Sequence, residues 1–572
     1  MEKYFESVDC KNIKEILYNS VKKFSDNIAF VIKHKKDKEN IEYEKVTYKK
    51  LLEDVNSFGT KLYELGLKGK RIAIVGRNRY EWVVAHLANL LGNIVSIPLD
   101  KELQVDELES CLERSKADVV VFDEKYTENI KTIEKNNKTN LTKYICMTKL
   151  EGYDNFWDLK TDGENLIKQG NTEFIDCKID NDKMAILLFT SGTTSKSKAV
   201  MLSQYNVASN VYAMLLVEDI RSTDHNLAFL PFHHIFGSTC MIVMIAVGAQ
   251  TSFPDGLRYV AQNLKEYEIS IFVGVPLLVE AIYKNIEKEI DKKGKTKLIK
   301  NAKKISNFLL KIGIDVRRKL FKEVIDALGG KMRFIISGGA PLDKKVAQGF
   351  NELGIELVQG YGLTETAPVI SAENFKKRKF GSIGVPMGNV ELEIVNKDEN
   401  GVGEIRVKGP NVMLGYYENE EATKQVLKDG WFYTGDLAYI DKDGYIFLTG
   451  RQKDMIVLKN GKKVFPDELE TLIKRVDLVK ECIVYGMPDE KDKNDLKISV
   501  KVVYDKQVAE EKYPGKTEEE LKKIMWEKIK EINKTFPPYK YIKNMIFTDE
   551  ELIKTTTQKV KRNEEIKRIL GE

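Results

Sequence analysis

Short apolar runs, each stopped by glycine or another small residue, recur along this 572-residue chain and constrain its fold more than any other feature. Arg71-Ile72-Ala73-Ile74-Val75 stops at Gly76, Ile271-Phe272-Val273 at Gly274, and Phe334-Ile335-Ile336-Ser337 at Gly338-Gly339. Runs this short and this apolar read as strands buried on both faces. Between them the spacing turns helical. Over 46–67, Leu51, Leu52, Val55, Phe58, Leu62 and Leu65 share one face, and 82–91 reads as a second helix. Further strands are predicted at 94–98, 119–122 and 144–147. Strands alternating with helices predict a largely parallel α/β sheet, whose ligands sit beyond the C-terminal strand ends.

The pattern repeats over 184–360, so two α/β sheet subdomains are expected, one in 1–180 and one in 184–360. Alternation at 390–395 and 404–407, with turn residues between, predicts an antiparallel, β-barrel-like subdomain over about 380–450. Past Arg451 the chain becomes α+β, with helices at 465–476 and 518–533 and strands at 481–486 and 498–504. The expected organisation is an α/β protein with a large N-terminal domain, 1–452, and a small mobile α+β C-terminal domain, 453–572.

Composition excludes several classes of function. Lys+Arg total 92 against 87 Asp+Glu, a net charge of +5, which implies no nucleic-acid partner at this length. Six scattered cysteines without a C-x-x-C, and five histidines, point away from a zinc site and toward free thiols in a cytoplasmic protein. The first ten residues lack the apolar core of a signal peptide, and the apolar run 240–249 is too short to span a bilayer. One segment, 284–330, is rich in lysine. Within it Leu298, Ala302, Ile305, Leu309 and Ile312 share a helical face. Two readings stand: a peripheral helix docked on the core, or a basic amphipathic surface making peripheral contact with anionic membrane.

The apolar run 185–189 ends at Thr190-Ser191-Gly192-Thr193-Thr194, and Lys196 and Lys198 follow. Ser203 then reads as the N-cap of the next helix. A strand that ends in a small, hydroxyl-rich, basic loop suits a phosphate group, although a solvated turn has the same composition. The loop is not a P-loop. Five companions follow in order: Leu230-Pro231-Phe232-His233-His234, Ser337-Gly338-Gly339-Ala340-Pro341, Gln359-Gly360-Tyr361-Gly362-Leu363-Thr364-Glu365, Tyr433-Thr434-Gly435-Asp436 and Gly450-Arg451-Gln452-Lys453-Asp454. Gly461, Pro466 and Glu470 come next, and Lys554 to Arg562 closes the series. In this order the segments resemble the adenylate-forming family of acyl-CoA synthetases, luciferase-like enzymes and adenylation domains, over nearly the whole chain.

The resemblance implies cofactors ATP, Mg2+ and coenzyme A. It assigns the triphosphate to Thr190, Ser191, Gly192, Thr193, Thr194 and Lys198, and Mg2+ to Thr190 and Glu365. Adenine falls to Gly338, Gly339, Ala340, Pro341, Gln359, Gly360, Tyr361, Gly362 and Thr364, and the ribose to Asp436 and Arg451. It implies catalysis by Lys559, with Thr190, Glu365 and His234, and a hinge at Lys453. Singly, Glu365 reads equally as a capping acid, Asp436 as a turn residue, Arg451 as a surface ion pair and His234 as a core histidine. Ser195, Ser197 and Ala199 replace the family's Gly, Pro and Gly, and Ile553 and Gln558 replace a Pro and a Gly. The basic segment resembles long-chain fatty acid–CoA ligases, which implies a fatty acid substrate. A ligase to acyl carrier protein and a non-catalytic nucleotide- or lipid-binding relative are the alternatives.

Overall fold

The computed structural model describes residues 4–35, 40–190, 197–374, 376–489, 496–554 and 560–571. These divide into two compact units. The larger holds the chain up to Thr190, then Lys198–Leu392 and Val407–Phe432; the smaller holds Glu393–Arg406 and the chain from Tyr433 onward.

The larger unit is built on two mixed, mainly parallel sheets. The first has eight strands. Arg71–Val75, Val95–Leu99, Val119–Phe122 and Lys143–Cys146 pair in parallel at its centre, and Met184–Phe189 extends it in the same sense. Met184–Phe189 then turns back through Ala199–Ser203 as an antiparallel hairpin. The second sheet has nine strands, with His225–Leu227, Ile271–Gly274, Phe334–Ser337 and Glu356–Gly362 side by side and parallel.

The two sheets exchange chain, contrary to the expected division at residue 180. Met184–Phe189 and Ala199–Ser203 belong to the first sheet, whereas Ile28–Lys35 joins the second by pairing with Gln250–Ser252 and carries Ile41–Thr47, antiparallel, on its other side. The reason lies in burial. Ala29, Phe30 and Val31 are buried, Phe30 against Tyr80 and Phe253 and Val31 in the core with Leu227 and Phe272, and parallel pairing with Thr251 and Ser252 satisfies the backbone of that buried strand.

Local signals behave as read. Ser203 caps the helix Gln204–Leu215 by accepting from the Asn206 N–H, and Glu518–Asn533 forms one helix capped by Thr517. Most of the β-rich stretch between 380 and 450 forms a five-stranded sheet, while Val385–Pro386 and Gly415–Tyr416 join the nine- and eight-stranded sheets. The five-stranded order among the described residues is an open path, with Ile446–Arg451 pairing Trp431–Ile440. The smaller unit continues with Val479–Pro488, Leu496–Tyr504 and Asn544–Thr548 in one sheet, covered by Pro466–Ile473 and Glu518–Asn533. Among the described residues no helix is long and apolar enough to cross a membrane.

The larger unit also encloses an acid. Glu218 is fully buried, and its Oε2 finds no hydrogen-bond partner among the described residues. Burial pushes its pKa up to about 8, with Glu373 and Asp219 adding and Arg378 opposing. The fold therefore accommodates the neutral form. That stability is complete below about pH 4.5, the ordinary carboxyl value, and is lost as the pH climbs toward 8. Replacing Glu218 with Gln should leave thermal stability unchanged at pH 5 and raise it by about 2–4 kcal/mol at pH 9. Parallel pH-dependent melts of parent and variant test this.

Candidate active site

Parallel pairing sends the C-terminal ends of neighbouring strands to one edge. At that edge of the nine-stranded sheet the chain leaves three strands as three of the quoted segments. Residues 228–234 follow His225–Leu227, Gly338-Gly339-Ala340-Pro341 follows Phe334–Ser337, and Gly360 to Glu365 closes Glu356–Gly362.

Each segment is fixed by bonds that the sequence does not advertise. Asn78 donates to the carbonyls of Ala228 and Leu230, both at 2.7 Å, and accepts from the Phe232 N–H at 2.9 Å. Gln359 accepts from the Leu342 N–H at 3.1 Å and donates to the Ser382 carbonyl at 3.2 Å. This ties the residue ahead of Gly360 to the end of the Gly338–Pro341 turn. Gly339 has φ +86°, a conformation glycine adopts freely, and Gly339, Ala340 and Pro341 are exposed. A Cβ on Gly362 would lie 1.9 Å from the Pro368 carbonyl oxygen, so only glycine fits there. Tyr361 is buried, and Thr364 and Glu365 begin a short 3-10 turn, Thr364–Thr366.

Thr190 and Lys198 close the base of the hairpin. The Thr190 N–H donates to the Lys198 carbonyl at 2.9 Å, and its hydroxyl reaches the same oxygen at 3.2 Å. Ser191, Gly192, Thr193 and Thr194, with Ser195, lie outside the described residues. Ala199 begins the second hairpin strand in an ordinary extended conformation, paired with Phe189, so a Cβ is accommodated there without strain.

Tyr416 joins two of the expected residues, and sequence reasoning missed it. Its strand, Gly415–Tyr416, pairs with Ala199–Ser203. Its hydroxyl donates to Glu365 Oε1 at 2.8 Å, and the Lys198 Nζ lies 4.6 Å from its ring centroid. Burial first, and then the Glu365 charge, drive the Tyr416 pKa upward, so it stays a donor. A carboxylate offers roughly four acceptor sites, so Glu365 keeps its Oε2 for a hard cation. The Thr190 hydroxyl offers a hard oxygen of the kind Mg2+ takes.

His234 stands at the N-terminus of Ile235–Val247, its ring 4.3 Å from that of His233. His233 is buried with Nε2 3.4 Å from Asp100 Oδ1. Asp100, His233 and His234 bring one donor atom each within 4.8 Å of one another, the one such group found among the described residues.

In the smaller unit, Asp436 and Arg451 face each other across an antiparallel pair, Arg451 Nε 3.1 Å from Asp436 Oδ1. Asp436 is buried and Arg451 exposed. The ion-pair reading of Arg451 is thus realised, and it aligns an acceptor and a donor side by side. Lys453 lies exposed in the turn Gln452–Asp454.

Lys559 and Gln558 lie outside the described residues. The residues that bracket them do not. Lys554 and Val560 pair as an antiparallel bridge, and the Lys561 N–H donates to the Ile553 carbonyl at 2.8 Å. The Ile553 N–H donates to Glu565 Oε2 at 2.9 Å, and Glu565 is fully buried against Lys501 at 3.0 Å. Proline at 553 has no N–H to give that carboxylate, which accounts physically for isoleucine here. Arg562 reaches across 92 residues to Glu470, its Nη1 2.8 Å from Oε1, and the Val484 N–H adds a bond of 2.7 Å to the same oxygen. Burial raises the Glu470 pKa while the guanidinium opposes it.

Removing one member of such a buried pair leaves an uncompensated charge, at about 3–5 kcal/mol. Glu470→Ala should therefore destabilise the smaller unit by that amount, and Glu470→Met with Arg562→Met should recover most of it. Hydrogen exchange of Val479–Pro488 in the full chain tests both, and a silent single variant would refute the reading.

Two family models match the chain: "AMP-binding enzyme" over residues 17–417 and "AMP-binding enzyme C-terminal domain" over 453–569. Fatty acyl-CoA synthetase B of Dictyostelium discoideum is 27% identical, over 84% of this chain and 76% of its own. A chloroplastic long-chain-fatty-acid–[acyl-carrier-protein] ligase of Arabidopsis thaliana is 26% identical, over 92% of this chain and 80% of its own. Among solved structures, the anthranilate CoA ligase AuaEII in complex with anthranoyl-AMP superposes with TM-score 0.75 at 20% identity, covering 99% of this chain and 97% of the other.

Proposed function

This chain belongs to the AMP-binding enzyme family of adenylate-forming ligases, and from that premise we propose that it joins a long-chain fatty acid to coenzyme A. The observation that carries the reading is the group Lys198, Tyr416 and Glu365 beside the segment Gly360–Thr364, at the end of a parallel strand. A cation, a hydroxyl donor and a carboxylate with a spare oxygen suit a nucleotide triphosphate and its Mg2+. The fatty acid assignment draws on relatives such as the Dictyostelium synthetase and on the basic segment.

ATP, Mg2+ and coenzyme A enter as follows. A carboxylate oxygen attacks the α-phosphorus, an O–P bond forms, and the bond to pyrophosphate breaks, giving an acyl-adenylate. Lys198 and the loop from Thr190 to Thr194 hold the phosphates, and Glu365 with Thr190 holds Mg2+. Bound Mg2+ supplies charge neutralisation to the departing pyrophosphate. Tyr361 stacks on adenine. Asp436 accepts from the ribose hydroxyls, and Arg451 orients it. The Lys559 ammonium neutralises charge on the α-phosphate in the transition state. The thiolate of coenzyme A then attacks the acyl carbon and AMP leaves, with His234 near the acyl and thiol groups. Residues 1–452 and 453–572 act as two domains that turn about Lys453 between the steps.

A chain-length series of fatty acids with ATP and Mg2+ tests the first step. Pyrophosphate release that requires the acid is expected, and its absence would leave a binding protein without turnover. Thioester formation with coenzyme A, set against holo acyl carrier protein, tests the acceptor. The Arabidopsis relative makes the carrier protein the outcome that would replace coenzyme A. Lys559→Ala should lower adenylation about a hundredfold or more while ATP affinity holds; unchanged adenylation would move the role to another lysine. Lys453→Glu should slow thioester formation at least tenfold more than adenylation, and equal losses would count against the hinge.

A further inference from the structure

Residues 292–311 contain eight lysines and no acid, in a chain whose net charge is only +5. Most of this stretch is the helix Thr296–Lys311, in which only Ser306 is buried. Its inner face is anchored. Ile299 and Ala302 pack on the hydrophobic core, Asn307 donates to Glu352 at 3.3 Å, and Lys303 reaches the Tyr283 hydroxyl at 3.2 Å.

The rest of its apolar surface is uncovered. The sequence face Leu298, Ala302, Ile305, Leu309 and Ile312 splits in two: Ala302 and Leu309 turn partly inward, whereas Leu298, Ile305 and Ile312 stand 64%, 59% and 59% exposed. Phe308, at 64%, widens this outer stripe, and Ile314 continues beyond the helix end at 50%. The docked-helix reading thus accounts for one side of the helix only.

Charge runs beside the stripe in register with it. Leu298, Ile305 and Ile312 recur every seven residues, and Lys297, Lys304 and Lys311 recur one position earlier. Successive residues on a helix lie about 100° apart, so the lysine row flanks the apolar row along about four turns. The three lysines are exposed and make no ion pair among the described residues. An apolar stripe bordered by lysine lets the side chains enter the acyl boundary while the ammonium groups snorkel to the headgroups.

We propose that the outer face of Thr296–Lys311 docks the protein on an anionic lipid bilayer. Leu298, Ile305 and Phe308 insert at the interface, and Lys297, Lys304 and Lys311 hold anionic headgroups. Charge complementarity selects this occupant: twenty residues without a carboxylate meet a negative surface without repulsion, and juxtamembrane lysine clusters gain affinity there. A second copy of this chain would bring lysine against lysine.

The test uses the full chain with vesicles and no substrate, so its outcome is independent of fatty acid activation. Flotation with vesicles of phosphatidylcholine and phosphatidylglycerol at three to one should recover most of the protein, and pure phosphatidylcholine at least tenfold less. Leu298→Glu with Ile305→Glu and Phe308→Glu should abolish recovery, and Lys297→Glu with Lys304→Glu and Lys311→Glu should lower it at least tenfold. Both variants change exposed positions and should melt with the parent. Equal flotation of parent and variants would overturn the proposal. So would failure to bind the anionic vesicles, or sedimentation showing a dimer that the Leu298, Ile305 and Phe308 variant dissolves.

Discussion

Neighbouring parallel strands must end on the same edge, and the candidate site depends on that constraint. His225–Leu227 lies more than a hundred residues before Phe334–Ser337 and Glu356–Gly362, yet pairing in one sheet releases their following segments together. The edge alone would give three loose loops. Asn78 and Gln359 convert them into fixed backbone, Asn78 by bonding three main-chain groups of 228–232 and Gln359 by linking the main chain at Leu342 and Ser382. Rigid loops on a buried sheet are what a binding site for a polar ligand requires, because ordering them on binding would weaken it.

Charge in both units is handled by pairing groups from remote segments. Tyr416 brings Lys198 and Glu365 to one aromatic ring. In the smaller unit, Arg562 on Glu470 and Lys501 on Glu565 tie down the residues on either side of 555–559. These pairs sit at backbone positions whose own hydrogen bonds they also complete, at Val484 and Ile553. Buried ions satisfied in this way specify one arrangement, at the expense of desolvation.

Much of this was legible in the sequence, and the division is physical. Local signals carried: the Ser203 cap, the Glu518–Asn533 helix and the glycine-stopped strands need only neighbouring residues to declare themselves. The ordered motifs could be read as candidate segments because each keeps its residues within a few positions. What failed to show was long-range pairing. Nothing in Ile28–Lys35 announces that its partner is Gln250–Ser252, so the exchange of strands between sheets went unread. Tyr416 escaped for the same reason, since its meaning lies in Glu365, fifty-one residues away. Ile553 stands where the family has Pro, and only the fold shows that its N–H serves Glu565.

The exchange of strands has a consequence for how the chain is made. Ile28–Lys35 leaves the ribosome early but finds its parallel neighbour only when Gln250–Ser252 has followed. At about 5–20 residues per second, that interval is roughly 10–40 s. During it the apolar Ala29, Phe30 and Val31 have Ile41–Thr47 on one side and no neighbour on the other. An unpaired strand edge of this kind is where nascent chains aggregate or recruit chaperones. The first sheet has all but its last strand, Gly415–Tyr416, by residue 203, so synthesis order makes it the platform on which the second is assembled.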